Sequence, residues 1–159
     1  VRIKSVTVED HLGKQNPYLP MSEPIQVTID YWITDATSVI SVGFWLFDGS
    51  GNAICSNGNL DETKVSPPTK PGLYRSKCEI PRNLLSNGRH TLTVGAFSDH
   101  TVSRHPNPDV SIPLCVAFDV IDDHKTQPSF EVWPGAIKPG FKWQTTVLDE
   151  LQTAVAGDS

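Results

Sequence analysis

The chain of 159 residues is 38% hydrophobic and 19% charged, a composition that suits one domain with a substantial core and excludes a disordered chain. Its formal net charge is −5 and it contains no cluster of Lys or Arg, so we expect no nucleic-acid partner and no surface for an anionic membrane. No apolar run approaches the roughly 18 residues that a membrane-spanning helix needs.

The first half of the chain alternates between apolar and polar residues, which is typical of strands with one buried face. Residues 2–10 alternate imperfectly, 24–33 alternate cleanly, and 39–48 continue the pattern. "DGSGN" (48–52) predicts a hairpin turn that leads into a short return strand, and a long polar loop is expected over 57–72. The side chains predicted to face the core are Ile25, Val27, Ile29, Tyr31, Ile40, Val42, Phe44 and Leu46.

Three further strands are predicted over 73–81, 89–97 and 111–121, and helix is indicated only at 81–88 and 145–157. Seven or more short strands separated by turn residues are typical of an antiparallel β-sandwich of immunoglobulin-like type. On the first of these strands, one side is shared by Tyr74, Ser76, Cys78 and Ile80. The inward-facing side chains on the other two are expected to be Leu92, Val94, Ala96, Ile112, Leu114, Val116, Phe118 and Val120.

The organisation of the chain changes after residue 123. "DDHKTQPSFEVWP" has acidic, polar and proline residues in close order, and the predicted linker spans 124–134. A strand-sized apolar piece follows, so we divide the chain into a sandwich domain (1–123), a linker, a C-terminal strand (135–147) and a tail (148–159).

Residues with catalytic or metal-binding chemistry are present but form no recognisable set. The three cysteines, Cys55, Cys78 and Cys115, are odd in number and have no CxxC spacing, which argues against a disulfide framework or a zinc site and favours a reducing, cytoplasmic setting. The segment 98–109 carries candidate metal ligands or acid–base groups whose spacing matches no closed ligand set, and His124 lies in the linker; the loop candidates are Asp99, His100, His105 and Asp109. We therefore expect a solvated loop, no metal, no cofactor, no catalytic residues and no enzyme.

Trp45 is the most informative aromatic residue. Because Phe44 faces the core, Trp45 must face outward, where its large apolar area needs an explanation. Three explanations remain open: a covering loop or partner chain, a sugar ring stacked on the indole, or simple exposure. Sugar rings present apolar C–H faces that suit an indole, while nearby polar groups bind the hydroxyls.

If the strand of Trp45 pairs with residues 89–97, antiparallel pairing brings further outward residues near the indole. Gly43 and Gly95 lack side chains and are expected to open a trough floored by backbone. The predicted neighbours of Trp45 in a glycan site are Ser41, Arg89, Thr91, Thr93 and Phe97. The loop with His100 and Arg104 is the next candidate site. Trp32 is a second outward aromatic, expected on the other sheet.

Several segments, in their order and spacing, resemble one family: "VGFWLFDGSGNAICSNGN", "PGLYRSKCEIPRNLLSNGRHTLTVGAFSD", "PLCVAFDV" and "GAIKPGFKW". It is the C-terminal domain of the nucleotide-binding subunit of bacterial polysaccharide-exporting ABC transporters, the Wzt type. The likeness runs over most of residues 1–145. His90 departs from the family pattern, which usually has an aromatic residue there, often Tyr. No Walker A or ABC signature motif is present, so the chain resembles the accessory domain alone.

The resemblance implies a β-sandwich that recognises O-antigen or a related glycan on its lipid carrier, at the cytoplasmic face of the inner membrane. The implied partners are this lipid-linked polysaccharide, the ATPase domain and membrane subunit of the transporter, and a second copy of the chain. In this family the C-terminal strand is exchanged between two protomers. Ile137, Phe141 and Trp143 have the same parity and are the residues expected to enter the partner; the alternative is that the strand folds back on its own sheet.

Two functions of different classes therefore remain. One is a non-catalytic glycan-binding domain for polysaccharide export. The other is a β-sandwich that only dimerises or contacts other transporter parts, without its own glycan site.

Overall fold

The structure is a computed structural model that describes residues 1–35, 40–59, 70–98, 108–125, 135–137 and 142–145. These residues form eight strands and no helix. The strands are β1 (Arg2–Glu9), β2 (Tyr18–Pro20), β3 (Ile25–Ile33), β4 (Ile40–Asp48), β5 (Ala53–Gly58), β6 (Gly72–Ile80), β7 (Gly88–Ser98) and β8 (Val110–Ile121).

The strands form two sheets, and the predicted all-β sandwich is confirmed. The three-stranded sheet has the order β1-β3-β6, and the five-stranded sheet has the order β2-β8-β7-β4-β5. All strand pairs are antiparallel except β2 with β8, which is parallel. The larger sheet is therefore mixed, whereas a purely antiparallel sandwich was expected.

The apolar faces of the two sheets meet in one core. Alternate residues of each strand enter it, because successive side chains of a strand point to opposite faces. Most of the side chains predicted to face the core are buried, among them Ile25, Val27, Ile29, Val42, Phe44, Leu46, Leu92, Val94 and Phe118. Val116 is half-buried and packs against this cluster.

Two strands contain register shifts that simple alternation does not reveal. In β1 the shift lies between Ile3 and Ser5, which accounts for the imperfect pattern there. In β8 the pairing passes from Val116 opposite Leu92 to Ile112 opposite Val94, so three residues of β8 lie opposite Thr93 alone. Leu114 is one of the three; it has a positive φ of 46° and is 62% exposed, so its predicted inward position is wrong.

Other local expectations also need correction. Residues 81–88 form turns rather than a helix, and Asn83 and Gly88 have positive φ angles that a right-handed helix does not allow. The strand β5 extends through Gly58, so the predicted polar loop begins later than residue 57. The proposed C-terminal helix lies outside the described residues, except for Thr145.

Candidate functional site

The outer face of the five-stranded sheet is the side that points away from the core. All six residues of the predicted glycan site belong to this face by register: Ser41 pairs with Phe97, Trp45 with Thr93, and Thr91 and Arg89 continue along β7. The predicted pairing of the two strands is therefore confirmed. Ser41 is only 5% exposed, so its hydroxyl lies beneath the surface of this face.

Trp45 and Phe97 form an aromatic pair on this face. Their ring centroids are 5.9 Å apart and their planes are tilted by 51°, an arrangement that aromatic pairs favour. Both side chains are half-buried. The pair therefore presents a supported apolar surface and not two freely rotating side chains.

The two central glycines of this face do not leave an open trough as expected. A Cβ atom added to Gly95 would lie 2.9 Å from Cζ3 of Trp45 and 3.1 Å from Cβ of Pro108. The indole thus occupies the space above Gly95. A Cβ atom at Gly43 would lie 2.7 Å from the Asn57 carbonyl oxygen, so this glycine admits the backbone of β5. The absence of side chains at these two glycines leaves room for the indole of Trp45 and for the backbone of β5.

Polar residues stand directly across from Trp45 on both neighbouring strands, Thr93 on β7 and Ser56 on β5. The Thr93 hydroxyl, directly across from Trp45, accepts a hydrogen bond of 3.0 Å from the backbone N–H of Leu114. Its own O–H remains a donor by the chemistry of a hydroxyl group. Thr91 pairs with Phe47 on one side and Ala117 on the other, so the next row of this face holds a half-buried aromatic ring, a hydroxyl and a methyl group.

Arg89 does not lie beside Trp45. It is four residues from Thr93 along β7, about 13 Å at the rise of a strand. Its Nη1 lies 3.3 Å from Oδ2 of Asp119, and the Arg89 side chain is 61% exposed. Tyr18 lies next to Asp119 on β2 and is 59% exposed. Arg89, Asp119 and Tyr18 thus form a row at the far end of the outer face.

Sequence reasoning missed Tyr18, Asp119 and Leu114 as residues of this face. The strand β2 has only three residues, too few to show a period. The alternation of β8 does place Asp119 outward, opposite to Phe118 and Val120, and that signal was available. Leu114 is outward only because of the register shift in β8.

His90, which departs from the family pattern, is a core residue and not a ligand. It is 2% exposed, stacks on Phe118 with centroids 5.7 Å apart, and its Nδ1 lies 3.0 Å from the Gly88 carbonyl oxygen. Burial lowers the pKa of His90, although the nearby Ala136 carbonyl and the carboxylates of Asp48 and Asp119 act in the opposite direction.

The predicted loop candidates for metal or acid–base chemistry are largely outside the described residues, which omit 99–107 and with them Asp99, His100, Arg104 and His105. Asp109 is described, and its carboxylate accepts hydrogen bonds from the backbone N–H and hydroxyl of Ser98. Within the described ranges, no three His, Cys, Asp or Glu residues are grouped to hold a metal ion. Cys55, Cys78 and Cys115 form no disulfide.

A cleft of about 410 Å³ opens between the two sheets, beside β5 and β6. Its walls include Tyr31 and Tyr74, whose stacked rings have centroids 6.0 Å apart. The hydroxyls of Tyr31 and Ser76 lie 3.3 Å apart, and burial raises the pKa of Tyr31. This cleft was not predicted from the sequence, because it arises where the edges of two sheets meet.

Among the described residues of the C-terminal segment, Ala136 and Ile137 contact the rest of the chain. Ile137 forms an isolated antiparallel bridge with Leu85, and the Ser86 N–H donates to the Ala136 carbonyl over 2.9 Å. Trp143 is 91% exposed, and Phe141 lies outside the described residues. The first residues of the segment therefore contact the sandwich, while Trp143 has almost no cover.

Comparison with known proteins places the fold in a class. No family model and no curated protein sequence matches the chain. Among solved structures, the chain is similar to the crystal structure of the C-terminal domain of Wzt, with a TM-score of 0.71 over 91% of this chain and 83% of that one. The sequence identity is 12%, so the likeness concerns the fold.

A weaker match is the putative ApaA protein from Bordetella pertussis, with 16% identity and a TM-score of 0.32 over 75% of this chain and 95% of that chain. Within the described part of the chain, no helix is long and apolar enough to span a membrane.

Proposed function

We propose that the chain is a non-catalytic glycan-binding domain that recognises O-antigen-type polysaccharide for export by an ABC transporter. The observation that carries the proposal is the half-buried Trp45–Phe97 pair on the outer face, with Thr93 directly across from Trp45, in a sandwich whose fold is similar to that of the Wzt C-terminal domain.

The chemistry of this face suits a sugar ring better than an apolar ligand. The indole of Trp45 supplies apolar area for the C–H face of a ring, and the threonine hydroxyls supply donors and acceptors for its hydroxyl groups. Such a wet surface buries little area, and we expect dissociation constants on the order of micromolar to millimolar.

The proposed setting follows from the same resemblance. The ligand is a polysaccharide on its lipid carrier, and the partners are the ATPase domain and membrane subunit of the transporter. The domain works in the cytoplasm, at the periphery of the inner membrane. It contributes recognition only, and the proposal assigns it no chemical step.

The C-terminal strand is proposed to complete a dimer. The supporting observation is Trp143, which is 91% exposed in the single chain and has the parity of Ile137. A tryptophan left in water is unfavourable, and a second protomer offers cover. This observation also favours the alternative function, a sandwich that only dimerises or contacts other transporter parts.

A glycan array separates the two functions. Purified O-antigen polysaccharides from a panel of bacteria are immobilised, and the wild-type protein is compared with Trp45→Ala and with Trp32→Ala, a matched aromatic change on the other sheet. We expect binding by wild type and Trp32→Ala, and loss with Trp45→Ala. Absence of binding to every polysaccharide, together with a stable dimer, would favour the interaction module.

A further inference from the structure

The outer face carries an exposed aromatic residue, Tyr18, that the proposed site does not use. Tyr18 faces outward on β2, because Leu19 beside it is fully buried, and it stands in register with Asp119. The Asp119 N–H donates to the Pro17 carbonyl over 2.7 Å, which fixes the backbone just before Tyr18. The tyrosine is therefore exposed on an ordered strand.

The separation of the two aromatics follows from sheet geometry. Tyr18 lies in the row of Arg89, four residues along the strands from the row of Trp45, about 13 Å away. It also lies three strands across the sheet, in the order β4-β7-β8-β2, which adds about 14 Å sideways. The diagonal between the two residues is thus about 20 Å.

The surface between the two aromatics carries small side chains on β7 and β8, and the larger Phe47 and Leu114 border it. The diagonal passes the row of Thr91 and Ala117, whose side chains are small, and ends beside the Arg89–Asp119 pair. This pair places a guanidinium donor and a carboxylate acceptor next to each other, as neighbouring sugar hydroxyls require. Leu114, 62% exposed, stands on the adjoining edge of the path beside Thr93.

We infer that this face is an extended groove for a linear polysaccharide, with Trp45 and Tyr18 as two stacking platforms and the Arg89–Asp119 pair as the polar contact of the second. The inference rests on the proposed glycan-binding function and adds the length of chain that is read. From bond lengths of about 1.5 Å, one pyranose ring with its glycosidic oxygen advances a chain by about 5 Å. Two stacked rings about 20 Å apart are about four such steps apart, so the groove holds about five rings.

The test measures affinity against chain length. The polysaccharide that binds best on the array is partially hydrolysed, and size-fractionated fragments from disaccharide to octasaccharide are titrated by calorimetry. Affinity should rise up to about the pentasaccharide and then level off. Tyr18→Ala should weaken binding of the octasaccharide about tenfold and leave disaccharide binding at Trp45 unchanged, whereas Trp45→Ala should weaken both.

Tyr18→Phe keeps the aromatic ring and should bind like wild type, which shows that the ring, and not the hydroxyl, makes the contact. Circular dichroism verifies that each variant is folded, so that lost binding is not lost structure. The groove is overturned if the disaccharide binds as tightly as the octasaccharide, or if Tyr18→Ala binds the octasaccharide like wild type; Trp45 alone then carries the site. If no polysaccharide binds, or if Trp45→Ala has no effect, the proposed site itself fails and the groove with it.

Discussion

Gly95→Ala tests whether the indole of Trp45 packs directly against the backbone of β7 at Gly95. The added methyl group would lie 2.9 Å from Cζ3 and 3.1 Å from Cη2 of Trp45, and 3.1 Å from Cβ of Pro108, so at least one of these groups must move. Overpacking of this kind costs about 1–3 kcal/mol, while the loss of glycine flexibility in the unfolded chain returns about 0.4–1 kcal/mol. We expect a net loss of about 0.5–2 kcal/mol in the free energy of unfolding.

Gly58→Ala is the matched control, because Gly58 stands in the same row of the sheet. Its added methyl group would meet the Val42 carbonyl oxygen at 3.5 Å, an ordinary contact, so stability should stay level or rise. Urea unfolding measures both free energies, and near-ultraviolet circular dichroism follows the Trp45–Phe97 pair. If Gly95→Ala is as stable as Gly58→Ala, with an unchanged aromatic spectrum, the indole of Trp45 does not pack against Gly95 as described.

Three further predictions concern the core, the pH dependence and the assembly. Phe44→Ala should lower the free energy of unfolding by about 3–5 kcal/mol, measured by urea unfolding; a loss below about 1 kcal/mol would contradict its core position. Burial lowers the pKa of His90 in the folded protein, so as pH falls the unfolded chain binds a proton at His90 before the folded chain does. The stability that depends on neutral His90 is therefore present above pH 6.5 and is lost as pH falls below it. His90→Phe should flatten the change in urea midpoint between pH 7.5 and 5.5, and an unchanged slope would refute the assignment. Light scattering should find the full chain dimeric and a chain truncated after Pro134 monomeric or aggregated; a monomeric full chain at micromolar concentration would contradict strand exchange.

The period of two residues along a strand predicted most of the core and the outward position of Trp45. This succeeded because a β-strand has only two faces, so one buried Phe44 decides the orientation of its neighbours. The same reasoning correctly separated Tyr31, which is buried, from Trp32, which lies exposed on the smaller sheet.

Position along the strands was harder to predict. Pairing of β4 with β7 was expected, but its register places Thr93, and not Arg89, opposite Trp45. Register depends on the turns and on the packing of the whole sheet, which one strand's pattern does not contain. Because Arg89 lies away from Trp45 and in the row of Tyr18, the candidate site extends towards Tyr18.

Local irregularities account for the remaining errors. Leu114 fits the alternation of β8 perfectly, and only the two extra residues opposite Thr93 turn it outward. Residues 81–88 have the apolar pair Leu84 and Leu85 that a short helix would use, yet Leu85 is buried in a turn segment that bridges Ile137. Tertiary packing overrides a weak local preference in such short segments.

Titration of the ¹⁵N-labelled protein with the best-binding polysaccharide fragment, followed by amide and indole N–H chemical shifts, tests the central claim most directly. We expect the largest shifts on the indole of Trp45 and on Thr91, Thr93 and Phe97, while Trp32 and the outer face of the smaller sheet stay unchanged. Shifts confined to the smaller sheet or to the cleft beside β5 and β6, with Trp45 unaffected, would contradict it.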